Sequence, residues 1–498
     1  MTFAPTIVRT TSGLIRGSSL GTLNVFRGIP YARPPVGPLR LTAPEPARPW
    51  NGLRDCTLSG PSCPQPPPPR GALFGAPAGS DPDQWLTVNV WAPLPHLARP
   101  LPVMVWIHGG GYAAGHGADP VFDGGRLALE GQVVVVTLNY RLGFEGFALV
   151  SGAPANRGLL DQVAALQWVR DNAAAFGGDP GRVTVFGQSA GAGSVAALMA
   201  MPAATALFHQ AIAQSVPRTY FTPEIAEAVA RLVTGEAGRT GDRGSVLDTD
   251  PQDLVAAGEK ALLTIAGDWE RWGALAEMPS LYSPVVDGEV LPADPWSAQR
   301  APVPLLAGHT RDEYRLFLSL NGRGDTLTEA DVDTATRHFG PPRHVTGHGE
   351  TSPADAYESL LSDWLFRTPT IRLAHLHATG DAPVFAYELT EPAPADGALG
   401  AYHGADVPLV FGNFTGTGAA RGYPTTPSAR TEALGCRMRA AWADFAHTGL
   451  PGWPAIVPGD GGAQIFGGDC PFTRTSPPEA MNRRIDVLGL PAQGQGAL

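Results

Sequence analysis

Charge is scarce in this chain. Only 16% of its 498 residues are Asp, Glu, Lys or Arg, and the balance is acidic, −11 at pH 7. That sign excludes a protein built to coat nucleic acid or an anionic membrane surface. Cysteine is scarcer still: Cys56, Cys63, Cys436 and Cys470 lack the paired spacing of metal ligands. In a chain this long they read as free thiols, the expectation for a reducing, cytoplasmic compartment. No apolar run is long enough to span a bilayer. Residues 1–5 show neither the basic nor the apolar segment of a secretory leader. The expected partner is therefore a small molecule, with no nucleic acid, no membrane, no metal and no cofactor, and a monomer or weak homo-oligomer as the working state.

What the chain has in plenty is glycine (61), proline (50) and apolar residues (43%). Glycine and proline follow no period, so they mark turns rather than a collagen-like or disordered chain. Residues 86–91, 103–107 and 133–138 read as strands, the last two apolar throughout and so covered on both faces. Leu160, Val163, Leu166, Val169 and Ala173 recur at helical spacing before Gly177-Gly178. Residues 183–186 are again a buried strand. Strand alternating with helix predicts an α/β fold with a mostly parallel central sheet. Further strands are expected at 7–10, 13–17, 23–28, 284–288, 304–308 and 385–389, and long helices at 353–367 and 428–447. Residues 60–82, with four consecutive prolines, read as a stiff surface or lid loop. With no repeat and no clean linker, the chain reads as a single catalytic domain over 1–498, with helical insertions near 216–280 and 318–380 covering a pocket.

One stretch carries chemistry. Gly187-Gln188-Ser189-Ala190-Gly191 lies between the strand at 183–186 and an alanine-rich helix start. Strand, sharp turn with glycines flanking a serine, then helix is the setting of a nucleophile elbow. An activated serine needs oxyanion donors, a base and a residue that orients the base. The strand at 103–107 runs into His108-Gly109-Gly110-Gly111-Tyr112, whose glycines leave backbone N–H groups unobstructed. Gly110, Gly111 and Ala190 are the candidate donors. His403, in a loop beyond the strand at 385–389, is the candidate base. Its competitors are less apt: His108 belongs to the glycine loop, and His344, His348, His375 and His377 read as surface residues. The acid lies at Asp312-Glu313, and spacing does not separate the adjacent carboxylates.

These and several other motifs, in order along nearly the whole chain, resemble the type-B carboxylesterase family, which includes para-nitrobenzyl esterases, animal carboxylesterases and cholinesterases. They are Phe26-Arg27-Gly28-Ile29-Pro30-Tyr31-Ala32, Asn139-Tyr140-Arg141-Leu142-Gly143, Gly158-Leu159-Leu160-Asp161-Gln162, Phe176-Gly177-Gly178-Asp179-Pro180 and His403-Gly404-Ala405-Asp406. The resemblance implies an α/β-hydrolase fold and ester hydrolysis by a Ser189–His403–Glu313 triad through an acyl-enzyme. It also implies an oxyanion hole of Gly110, Gly111 and Ala190, and buried ion pairs Arg141–Asp161 and Arg40–Asp83. By the same resemblance Met278 and Ser280 fall near the acyl pocket, and Phe74 and Tyr112 line the gorge. The chain departs from the family in three ways. Asp83-Gln84-Trp85-Leu86 lacks the cysteine that pairs with the counterpart of Cys63 in secreted relatives, and residues 63–84 lack the tryptophan that stacks on choline. Gln188 replaces a usual Glu beside the nucleophile. The departures at 63–84 and at Gln188 point to neutral esters. An amidase or carbamate hydrolase with the same triad is the alternative, followed by a non-catalytic, neuroligin-like binding module.

Overall fold

The computed structural model describes residues 4–67, 83–94, 99–340, 352–394, 399–415, 418–457, 462–468, 472–474 and 488. Among the described residues, thirteen strands form one sheet. They are β1 (Ala4–Thr10), β2 (Gly13–Ser19), β3 (Leu23–Pro30), β4 (Leu53–Asp55), β5 (Thr87–Pro93), β6 (Leu101–Ile107), β7 (Val134–Leu138), β8 (Gly178–Gln188), β9 (Gln210–Gln214), β10 (Leu305–Thr310), β11 (Val384–Leu389), β12 (Gly462–Phe466) and β13 (Phe472–Arg474). Their spatial order is β1-β2-β3-β5-β7-β6-β8-β9-β10-β11-β12-β13, with β4 beside β2. From β7 to β12 every neighbour is parallel. Along β1-β2-β3-β5-β7 and in the final β12–β13 pair the neighbours are antiparallel, whereas β4 pairs with β2 in parallel.

β5, β6, β7 and β10 are buried along their whole length, and β8 from Val183 onward. Side chains alternate between faces along a strand, and each face meets a different helical layer. Val103, Val105 and Ile107 of β6 join Val183 and Val185 of β8, Leu159, Leu166 and Val169 of the helix Arg157–Asn172, and Val195 and Leu198 of the helix Ala190–Ala200. Met104 and Trp106 point the other way, with Phe186, toward Phe411 of the helix Asp406–Phe411 and Met438, Trp442 and Phe445 of the helix Ala429–Thr448. The apolar positions read from the sequence at 160–173 are buried, apart from half-exposed Leu160. The α-helix ends at Asn172 and tightens into a 3-10 turn, Ala173–Phe176, which Gly177 stops with a φ of 78°.

Residues 216–280 contain the helices Pro223–Glu236 and Pro251–Ile265, and residues 318–380 contain Glu329–Phe339, Pro353–Ser362 and Thr368–His377. Most of these pack on one another in a core of their own, around Ile225, Val229, Leu254, Leu361 and Trp364.

Four expectations differ from the structure or fall outside it. Arg40 is buried and pairs with Glu145, at 2.6 Å, not with Asp83, which is exposed. Its remaining N–H groups reach the carbonyls of Leu247 and Thr249, so the guanidinium faces inward where Asp83 cannot follow. Residues 284–288 form no strand, only an isolated bridge from Phe221 to Val285. His375 and His377 are buried, because their helix packs flush against β10 and β11 and His377 Nε2 donates to the Val303 carbonyl. Phe74, Cys470, His344 and His348 lie outside the described residues.

Arg141 and Asp161 do form the expected pair. Nε and Nη2 reach the two carboxylate oxygens at 2.8 and 2.7 Å, with both side chains fully buried. Asp161→Asn leaves a guanidinium charge without its counter-ion in the core. Chemical denaturation is expected to show a loss of about 3–5 kcal/mol.

Candidate active site

The elbow is strained, and its glycines explain how it persists. Ser189 sits at φ 58°, ψ −127°, between the end of β8 and the start of the helix Ala190–Ala200. A non-glycine residue there costs of order 1–3 kcal/mol, which the surroundings must over-determine. The Ser189 N–H donates to the Gln214 carbonyl at 2.9 Å, and its own carbonyl accepts from Gly193 N–H at 2.9 Å. A Cβ on Gly191 would lie 2.0 Å from the Ile107 carbonyl oxygen, and one on Gly187 would lie 2.6 Å from the Gly191 carbonyl carbon. Only glycine permits this approach of β6, β8 and the helix.

Beside the elbow, β6 ends in the glycine loop. Gly110 and Gly111 have φ of 113° and 60°. Among the described residues, the N–H groups of Gly110, Gly111 and Ala190 donate to no protein acceptor. The Gly110 carbonyl instead accepts from Ala113 and Ala114, which turns the loop back on itself.

His403 Nδ1 lies 2.5 Å from Glu313 Oε2. Glu313 is fully buried, and its Oε1 accepts from Ser215 Oγ at 2.6 Å and Thr310 N–H at 2.9 Å. Burial pushes this carboxyl up. The neighbouring His403 and the donors from His403, Ser215 and Thr310 outweigh burial and hold it below the usual 4.5. Asp312 turns elsewhere: its carboxylate accepts from Ala401 N–H at 2.8 Å and pairs with Arg311. Glu313 is thus the carboxylate the structure brings to the imidazole.

Ser189, His403, Gly110, Gly111 and Ala190 all line one cavity of about 650 Å³, and so do Tyr112, Gln188, Met278 and Ser280. The volume suits a small organic ligand. Its wall is largely apolar, with Leu262, Leu263, Leu365 and Phe366 contributed by the helices beyond residue 216. Its only charged pair among the described lining residues is Glu277 with Arg323, at 2.7 Å. His403 Nε2 does not meet Ser189 Oγ in this state: it lies 3.1 Å from Gln188 Nε2.

The Carboxylesterase family model matches residues 4–456. The chain is 36% identical to the para-nitrobenzyl esterase of Bacillus subtilis, across 90% of this chain and 92% of that one. It is also 36% identical to the phenmedipham hydrolase of Pseudarthrobacter oxydans, across 92% and 96%. Among solved structures, a PNB esterase superposes with a TM-score of 0.79 at 35% identity, covering 94% of this chain and 96% of that one. A Geobacillus stearothermophilus carboxylesterase gives 0.79 at 34%, covering 93% and 96%. The chain belongs to the carboxylesterase family. It has the α/β-hydrolase fold and is a carboxylic ester hydrolase.

Several residues around the family's site escaped the sequence reading. Ser215 follows β9 in a left-handed conformation, φ 59°, and braces Glu313. Phe317 and Phe366 place their rings 5.3 and 4.1 Å from the His403 imidazole. Asp406 is buried behind His403, where its Oδ2 accepts from Tyr387 and from Gln214. The Ser at the end of a strand repeats the Ser189 pattern and was a usable signal; the two phenylalanines carried none.

The depressed Glu313 carboxyl links pH to stability. Its ionised form stabilises the fold above about pH 4.5, and that contribution is lost as pH falls through the lower folded-state value. Thermal unfolding of the wild type and Glu313→Gln should therefore converge on acidification below about pH 4.5. A gap in Tm independent of pH would contradict it.

Proposed function

We propose that this carboxylesterase hydrolyses neutral carboxylic esters through an acyl-enzyme on Ser189, with His403 as base and Glu313 as its orienting acid. The observation that carries the reading is the buried Glu313–His403 contact at 2.5 Å in the cavity onto which the Ser189 elbow opens. Glu313 on Nδ1 fixes the tautomer with its lone pair on Nε2, as a base requires. Ser189 Oγ attacks the ester carbonyl carbon as its proton passes to His403 Nε2. The tetrahedral oxyanion takes hydrogen bonds from the N–H groups of Gly110, Gly111 and Ala190, each worth on the order of 3 kcal/mol in the transition state. The imidazolium then gives its proton to the departing alkoxide. Water, deprotonated by the same imidazole, attacks the acyl carbon and restores Ser189.

The apolar wall supports uncharged substrates, and Gln188 supports them further by placing no carboxylate beside the nucleophile. Met278, Ser280 and Tyr112 belong to the substrate surface in this reading. We take the chain as one catalytic domain, supported by the continuity of the sheet from β1 to β13, with the helices of 216–280 and 318–380 as the pocket cover. A cytoplasmic location and a monomer or weak homo-oligomer complete the proposal; the buried free thiols of Cys56 and Cys63 fit a reducing compartment.

Ser189→Ala should fold normally and lower kcat/KM for para-nitrophenyl esters by at least about 10⁴-fold. Glu313→Gln should lower kcat by about 10³–10⁴-fold, and Asp312→Asn should act on stability with less than about tenfold effect on kcat. The reverse ranking would exchange the two carboxylates.

A further inference from the structure

Gln188 occupies a slot made for its amide. The side chain is buried at the end of β8, between the glycine loop and the His403 loop. A Cβ on Gly109 would stand 3.2 Å from Gln188 Oε1, and one on Gly404 would stand 3.5 Å from Gln188 Nε2. The first distance is tighter than an ordinary contact, so glycine at 109 leaves the amide its place; the second is an ordinary contact, and it is the φ of 82° that favours glycine at 404. Its outcome is the 3.1 Å contact between Gln188 Nε2 and His403 Nε2. The roles in that contact follow from the other ring nitrogen. Nδ1 faces the Glu313 carboxylate, an acceptor, so Nδ1 carries the proton and Nε2 presents a lone pair. Only the NH₂ end of an amide can donate to it. Ser189 Oγ, by contrast, makes no hydrogen bond among the described residues.

The other charged and titratable groups near His403 are few. Glu313 sits on Nδ1. Asp406, on the following helix, is buried, and burial pushes its carboxyl up. Ser215 faces Glu313, and Glu277 and Arg323 share the cavity wall. The rings of Phe317 and Phe366 pack against the imidazole. None of these offers a donor to Nε2.

We propose that Gln188 is a positioning residue for His403: its amide N–H donates to Nε2, favours the neutral imidazole that can act as base, and so extends ester hydrolysis to lower pH. The amide yields Nε2 to Ser189 Oγ when substrate fills the cavity. A hydrogen bond to the neutral form opposes its protonation, whereas a carboxylate at the same place would favour the imidazolium. The inference rests on His403 being the base.

The test is the pH dependence of kcat/KM for para-nitrophenyl butyrate between about pH 5 and pH 9, which reports the free enzyme's essential base. It compares wild type, Gln188→Glu and Gln188→Met, each checked by thermal unfolding. Gln188→Glu should move the acid limb upward by about one pH unit, a tenfold loss on the slope. Gln188→Met, which keeps the length without the donor, should also move it upward, by less. A uniform loss at every pH, with the limb unmoved, would make Gln188 a packing residue and overturn the proposal. A limb that moves downward in Gln188→Met would also overturn it, since the amide would then favour the imidazolium. Either variant alone decides the matter should the other not fold. Hydrolysis that survives Ser189→Ala would instead remove the triad itself, a failure recognisable before any Gln188 variant is compared.

Discussion

The active site depends on one short distance, the approach of the Gly191 backbone to the Ile107 carbonyl. A single methyl group on Gly191 would sit 2.0 Å from that oxygen. The contact clamps the helix Ala190–Ala200 onto the end of β6 and forces Ser189 into its left-handed conformation. It also sets the glycine loop and the serine side by side, because β6 and β8 are paired in register up to Ile107 and Gly187. The rest follows from strand order. Moving across β6, β8, β9, β10 and β11, the carboxyl ends supply in turn the glycine loop, Ser189, Ser215, Glu313 and the chain leading to His403. Parallel neighbours end on the same edge, so residues far apart in sequence gather in one crevice.

Behind the imidazole lie two buried carboxyls with opposite tendencies. Glu313 has donors from His403, Ser215 and Thr310, which hold its carboxyl low despite burial. Asp406 is equally buried, and its donors from Tyr387 and Gln214 do not overcome burial, which pushes its carboxyl up. Divergent environments assign divergent roles to neighbouring acids. A second ionised carboxylate beside His403 would share the work of orienting it. Of the two carboxyls it is Glu313 that contacts His403 Nδ1, while Asp406 is turned to Tyr387 and Gln214. Gln214 ties Asp406 to the elbow, since its side chain donates to Asp406 while its carbonyl accepts from Ser189 N–H. Trp442 Nε1 completes that amide by donating to its oxygen.

The parts of this site that were legible in the sequence are those whose reasons are local. A glycine on each side of Ser189, three glycines after a buried strand and β-branched runs all report backbone demands within a few residues. Side-chain partnerships were less legible in proportion to their reach. Ser215 and Glu313 are 98 residues apart, Arg40 and Glu145 are 105 apart, and Gln188 and His403 are 215 apart. The Arg40 error is instructive. A buried arginine demands a carboxylate, and that much was predictable, but which carboxylate depends on the direction the guanidinium faces. Asp312 and Glu313 pose the same problem at the shortest range. Adjacent residues leave a turn in different directions, and only the turn after β10 decides which one reaches the imidazole.

The cavity wall has a different origin from the catalytic edge. Leu262, Leu263, Leu365 and Phe366 come from helices that mostly pack in a core of their own, apart from the clusters on the two sheet faces. Glu277 and Arg323 belong to the same wall. Substitutions there alter the cavity surface without touching the pairing of β6, β8, β9 and β10. Met278 and Ser280 lie on the boundary, because a Cβ on Gly111 would already stand 3.1 Å from Ser280 Cβ. Bulk added at 280 is therefore felt by the glycine loop, whereas bulk added at 262 or 365 is not constrained by that contact.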